Sequence, residues 1–100
     1  SIELQIERKE ANHVYHIFAI LTKERDQISE ALQANDISYG IHYPTPIHLQ
    51  PSFSSLGYSQ GDFPMAECIA NEELSLPIYP EITDEQIAHV VKHLKKALND

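Results

Sequence analysis

Apolar residues fall into separate patterns along the chain. From Ser1 to Arg8, Ile2, Leu4 and Ile6 alternate with Glu3, Gln5 and Glu7. That is the period of a strand with one covered face. Residues 1–12 therefore read as an edge strand or a connecting arm, ended by the polar stretch Lys9 to His13. His13 to Leu21 is the strongest strand candidate. Val14, Tyr15, Ile17, Phe18, Ile20 and Leu21 are nearly continuous and rich in β-formers, which suggests cover on both faces. His13 and His16 point to opposite faces of such a strand, so they cannot share a metal, and one of them is expected to be a buried, hydrogen-bonded histidine. Thr22 is placed to cap a helix running to about Ala34, with Glu24 and Asp26 in its first turns and Ile28, Ala31 and Leu32 as its apolar stripe. Asn35-Asp36 ends it, and Ile37 to Ile41 gives a short strand.

The second half is punctuated by proline and glycine. Pro51 to Leu56 reads as one or two helical turns, with Gly57 as a left-handed stop. Asp62 can cap a helix from Phe63 to about Glu73, with Pro64 in its first turn and Met65, Ile69 and Cys68 facing inward. Leu74 and Leu76 alternate around Ser75 as a short strand, and Pro77 and Pro80 hold Ile78-Tyr79 extended. Thr83-Asp84-Glu85-Gln86 is a capping box. It opens the clearest helix, with Ile87, Val90, Val91, Leu94 and Leu98 on one stripe and Lys92, Lys95 and Lys96 off it. The connections are too short and irregular for a doubly wound fold. The expected class is α+β: a small, few-stranded, mainly antiparallel sheet with helices packed on one side.

Between these patterns lies Gly40-Ile41-His42-Tyr43-Pro44-Thr45-Pro46-Ile47-His48-Leu49-Gln50-Pro51, which holds three of the six prolines. Proline fixes φ, removes a donor and pushes its predecessor toward extended geometry. The density of prolines excludes helix and central strand, so the stretch is expected to be a stiff, extended loop, cheap to order, presenting two imidazoles and a phenol.

Composition narrows the class. One hundred residues make one domain or a piece of a larger protein. The chain begins at Ser1 with its only methionine at Met65, which fits a piece. Apolar residues are 42% of the total, a globular value. No signal peptide and no apolar run of spanning length is present, so no membrane partner is expected. The formal charge of −8 argues against nucleic acid and anionic membranes. No lysine or arginine occurs between Arg25 and Lys92, so a phosphate near the proline loop must be held by histidine, hydroxyls, backbone N–H or another domain. Cys68 is the single cysteine, which fits a cytosolic setting; it reads as a small buried apolar residue rather than a nucleophile.

Most chemistry is excluded residue by residue. The serines lack a Gly-x-Ser-x-Gly elbow. Glu72-Glu73 and Asp84-Glu85 read as solvated or capping groups at helix ends. The three glycines are too scattered for a phosphate cradle. Every lysine falls in a polar, exposed-looking setting, so none suits Schiff-base chemistry. His89 and His93 have metal-ligand spacing without a third ligand and read as a solvated face. His42, Tyr43 and His48 remain. They either line a pocket, donating to an oxygen-rich ligand, or support the loop by hydrogen bonds; their density on a stiff loop favours the first. On these grounds the chain is not a complete enzyme but a module offering a ligand-facing loop.

Three motifs carry a resemblance that covers about His13 to Leu98. The first is the Gly40–Pro51 loop followed by Leu56-Gly57-Tyr58 and Gly61-Asp62-Phe63-Pro64-Met65-Ala66-Glu67. The second is Leu74-Ser75-Leu76-Pro77-Ile78-Tyr79-Pro80-Glu81-Ile82-Thr83 with Gln86-Ile87. The third is Val14-Tyr15-His16-Ile17-Phe18. Together they resemble the DegT/DnrJ/StrS family of sugar aminotransferases. The resemblance implies a cytoplasmic, homodimeric enzyme dependent on pyridoxal phosphate and related to aspartate aminotransferase. Such an enzyme moves an amino group from glutamate to a nucleotide-linked keto-sugar. Residues 13–100 would be its small C-terminal domain, without the lysine that carries the cofactor, and inactive alone. By resemblance, His42 and Tyr43 face the substrate and His48 supports or joins them. A non-catalytic regulatory relative of the same fold, and an independent interaction module, are the competing readings.

Overall fold

The computed structural model describes residues 1–99. Three strands, β1 (Ile2–Leu4), β2 (Phe18–Thr22) and β3 (Glu73–Leu76), form one antiparallel sheet in the order β1-β2-β3. Three α-helices accompany it: α1 (Arg25–Gln33), α2 (Pro64–Glu72) and α3 (Asp84–Asn99). Two short 3-10 stretches occupy the proline-rich region: Pro51–Leu56, as expected, and Ile47–Leu49, which corrects the expectation of a loop extended throughout, since the residues between Pro46 and Pro51 keep enough N–H groups for one tight turn. This is the α+β arrangement expected from the interleaved patterns.

The core is where α1 and α3 meet the sheet. Ile20 of β2 and Leu74 of β3, directly paired across the ladder, pack with Ile28 and Leu32 of α1, Ile37, and Leu94 and Ala97 of α3. Gln27 Nε2 donates to the Ala97 carbonyl at 2.6 Å, tying the two helices together. Arg25 reaches across to donate to the Ala70 carbonyl at 2.7 Å, which anchors the end of α2. Asp36 has φ of 57°, and the N–H groups of Ile37 and Asp36 return to the carbonyls of Leu32 and Gln33. That pair of bonds is a Schellman stop. It turns the chain so that Ile37 drops into the core. At the start of α3 the capping box is present: Gln86 N–H donates to Thr83 Oγ1 at 3.2 Å and Thr83 N–H to Gln86 Oε1 at 2.9 Å. Gly57 takes φ of 76° after the second 3-10 stretch, as its position implied.

Several local expectations are corrected. β2 begins at Phe18, not His13. Phe18 pairs with Leu76, so the next residue of the partner strand is Pro77, which has no N–H for the ladder. Upstream, side chains take over the backbone: His13 N–H donates to Glu7 Oε1 and Tyr15 N–H to His13 Nδ1, both at 2.7 Å. Tyr15 lies at φ of 48°, and His13 and His16 are both exposed rather than one being buried. Of the β1 alternation only Ile2 packs toward the core; Leu4 and Ile6 are exposed. Thr22 is buried in β2 and turns the chain instead of capping the helix, its Oγ1 accepting from Glu24 N–H at 3.2 Å.

Residues 37–41 form a single bridge rather than a strand. Gly40 and Ser75 exchange both backbone hydrogen bonds, at 2.8 and 3.0 Å. At the next position His42 N–H goes to the Glu73 side chain, and the ladder stops. Asp62 does not cap α2; it accepts from Ser59 N–H. α2 buries only Ala70. Met65, Ile69 and Cys68 are exposed, against expectation. A small residue at the contact lets the helix sit close to β2 while its larger apolar side chains remain outside. The α3 stripe is likewise buried only at its C-terminal half, at Leu94 and Ala97; Ile87 and Val91 are exposed beyond the sheet.

The radius of gyration is 15.7 Å, against about 13 Å for a compact domain of this length. Stability therefore rests on few residues. Leu74→Ala is expected to cost about 2–5 kcal/mol in urea unfolding. Ile87→Ala, at a position 45% exposed, is expected to cost under about 1 kcal/mol. Equal losses would contradict this placement of the core.

Candidate functional site

The Gly40–Ser75 bridge lays the start of the proline loop along the free edge of β3. Glu73 and Ser75 are two apart on that strand, so they share one face. Both are buried. A buried carboxyl group is costly unless its oxygens are hydrogen-bonded. Here both are: Glu73 Oε2 accepts His42 N–H at 2.6 Å, and Oε1 accepts the Ser75 hydroxyl. Ser75 Oγ lies 2.8 Å from His42 Nδ1. The imidazole rests against Gly40, where a Cβ would come within 2.7 Å of the ring. The Tyr43 ring meets it edge-on at 5.3 Å and is itself 70% exposed. The His42–Tyr43 peptide bond is cis.

An open groove of about 480 Å³ runs beside this edge. Its polar lining includes His16, Ser38, Tyr39, His42, Ser75 and Tyr79. Imidazole, hydroxyl and phenol groups of this kind offer hydrogen bonds to a hydroxyl-rich ligand and no fixed positive charge.

His48 stands apart from that groove. It is buried, its ring against Phe63 at 4.9 Å, and its Nε2 lies 2.9 Å from Glu67 Oε1. Glu67 also accepts Gly61 N–H at 2.8 Å. The Gly61 N–H, and then the His48 side chain, hold the Glu67 carboxyl below its ordinary range. The structure thus brings His42 and Tyr43 together, and places His48 as the pin between the proline loop and α2. His89 and His93 lie 4.5 Å apart ring to ring on α3, with His93 pushed low by burial and then by His89 and two nearby lysines. No group of three or more metal-ligating side chains exists among the described residues.

Sequence reasoning missed Glu73 and Ser75. Glu73 was expected on a solvated helix end; it is instead the first residue of β3 and among the most buried polar residues. The signal was present in Glu73-Leu74-Ser75-Leu76, where the apolar alternation puts the carboxyl and the hydroxyl on the same side.

Residues 1–95 match the DegT/DnrJ/EryC1/StrS aminotransferase family. The chain belongs to that family. It is 44% identical over 82 residues to the pleiotropic regulatory protein of Geobacillus stearothermophilus, a match covering 82% of this chain and 22% of that protein. It is 37% identical over 100 residues to the UDP-N-acetyl-3-dehydro-alpha-D-glucosamine 3-aminotransferase of Acidithiobacillus ferrooxidans, covering 98% of this chain and 27% of that one. The fold is similar to S. venezuelae DesV in complex with ketimine intermediate, with a TM-score of 0.90, 33% identity, and coverage of 96% of this chain and 26% of that one. The chain therefore spans about a quarter of the length of these relatives. The family inferred from the loop and closing motifs is the family matched.

Pyridoxal phosphate, which the resemblance implies, does not fit the residues present as a complete site. It requires an amine for its carbonyl carbon and donors for its phosphate. No lysine or arginine lines the groove, and none lies in sequence between Arg25 and Lys92.

The Glu67 pair gives a pH test. Its folded-state pKa is depressed, so its contribution to stability is whole above the ordinary carboxylate range and is lost as pH falls through the depressed value. The stability gap between the native chain and Glu67→Gln, read by chemical unfolding, is expected to be widest above pH 4.5, the ordinary value, and to close at lower pH. A gap independent of pH would contradict the pairing.

Proposed function

We propose that residues 13–100 are the C-terminal small domain of a pyridoxal-phosphate-dependent aminotransferase that moves an amino group from glutamate to a nucleotide-linked keto-sugar. Residues 1–12 supply its edge strand β1 and lead in from the large domain. The observation that carries this reading is the family match over residues 1–95 by a chain a quarter the length of relatives that include a nucleotide-sugar aminotransferase. Two features of the molecule support it. The groove offers hydrogen bonds without cations, which suits the sugar portion of a ligand whose phosphates are gripped elsewhere. Ile47, Phe53, Leu56, Tyr58, Phe63 and Met65 are all exposed within twenty residues, apolar surface of the kind that a larger partner covers.

In this division of labour the cofactor, held by the rest of the protein, supplies the electron sink. The present residues bind and orient: His42 and Tyr43 face the sugar, and His48 keeps their loop against α2 through Glu67. The complete enzyme is read as a cytoplasmic homodimer. A second reading, a non-catalytic regulatory relative, is favoured by the name of the Geobacillus protein, which is 44% identical to this chain.

Three measurements bear on these readings. The chain alone, mixed with pyridoxal phosphate and glutamate, is expected to give neither a shift in cofactor absorbance nor amino transfer; either one would overturn the division between domains. The full-length protein is expected to transfer an amino group from glutamate to a nucleotide-linked keto-sugar, and failure to do so would favour the regulatory reading. His42→Ala in the full-length protein is expected to lower turnover or sugar binding, read as kcat/KM, about tenfold with little change in melting temperature. Unchanged kinetics would remove His42 from the site.

A further inference from the structure

The imidazole that faces the groove has its hydrogen placed from inside the sheet. Ser75 Oγ–H donates to Glu73 Oε1, and the same oxygen lies 2.8 Å from His42 Nδ1. A serine hydroxyl has one proton and two lone pairs. With that proton committed to Glu73, Ser75 Oγ can meet Nδ1 only as an acceptor. Nδ1 must therefore carry the ring hydrogen, and a neutral imidazole so protonated has its lone pair on Nε2. Nε2 makes no hydrogen bond to the described residues, while His42 lines the groove. One side of the ring rests against Gly40.

We propose that Glu73 and Ser75 are positioning residues that hold His42 as the Nδ1–H tautomer, so that Nε2 presents a hydrogen-bond acceptor to a hydroxyl of the ligand in the groove. That the hydroxyl belongs to a sugar rests on the aminotransferase reading; the tautomer does not. A purely structural role does not account for the arrangement. The Gly40–Ser75 backbone bridge and the Glu73 bond to His42 N–H already fasten the loop to β3. The contact from Ser75 to Nδ1 adds nothing to that attachment except the setting of the ring.

The tautomer can be read directly. Long-range proton–nitrogen NMR of the histidine-labelled 100-residue chain, at about pH 8.5 where imidazoles are neutral, is expected to show His42 protonated on Nδ1. Glu73→Gln is nearly isosteric and reverses the proton order. Its amide oxygen must keep His42 N–H, so its NH2 faces Ser75; Ser75 then accepts from the amide and donates to Nδ1. His42 is expected to switch to the Nε2–H tautomer. An Nε2–H signal in the native chain, or an unchanged Nδ1–H signal in folded Glu73→Gln, would overturn the proposal. Should that variant fail to fold, the native spectrum and Ser75→Ala, expected to give a mixture of tautomers, decide the matter. In the full-length protein, Ser75→Ala is expected to raise KM for the keto-sugar about tenfold with a smaller change in kcat, and Ser75→Thr to restore it. An unchanged KM overturns the acceptor role. Loss of the sugar reading, by absence of any amino transfer, would leave the NMR result standing on its own.

Discussion

Glu73 joins the two parts of the molecule that matter for function. Its backbone belongs to the sheet, and its side chain takes the N–H of His42 at the point where the next ladder bond would have formed. The proline loop therefore leaves the sheet edge at a fixed residue and in a fixed direction. A backbone carbonyl in that position would have continued the strand; a side-chain carboxyl ends it and keeps the loop attached. The arrangement holds only as a set. With the carboxyl removed, His42 N–H and the Ser75 hydroxyl would both lose a partner beside a buried strand, at a cost on the order of 1–3 kcal/mol for each group left unsatisfied.

Against this well-determined edge stands a thin core. The seven residues of the buried cluster lie where α1 and α3 cross β2 and β3. Further out, α2 and the N-terminal half of α3 carry their apolar side chains into the open. Ile87 and Val91 border an apolar pocket of about 250 Å³ with Phe18, Ile78 and Ile82. The extended shape and the uncovered surfaces are two aspects of one fact: hydrophobic periodicity exceeds what a sheet of three short strands can cover. In the proposed reading, these are the faces that would lie against the rest of a larger protein.

Elements governed by local chemistry were legible in the sequence. The capping box at Thr83, the left-handed Gly57 and the Asn35-Asp36 stop all depend on residues within a few positions of one another. The strand ends were not legible, because they depend on partners far along the chain. Nothing near His13 announces that Pro77 will sit opposite Ile17. The inward face of α2 was misread for a related reason. Periodicity shows which residues share a helix face, and only tertiary placement shows whether anything covers that face. At the site, His42 and Tyr43 stood out by residue type, and the family motif named them. Glu73 and Ser75 did not stand out, since a carboxyl and a hydroxyl next to a helix end are far more often solvated. Their burial comes from the pairing of β3 with β2 on one side and Gly40 on the other.

A narrow steric tolerance falls on a residue without a side chain. Gly40 takes no left-handed backbone angle; what it supplies is room, because a methyl group there would come within 2.7 Å of the His42 ring and the ring would have to shift. Alanine, the mildest of replacements, would lever the imidazole off the serine while leaving every functional group chemically intact. The fidelity of this edge is thus kept by an empty volume the size of one carbon atom, and its loss would be invisible to any inventory of reactive side chains.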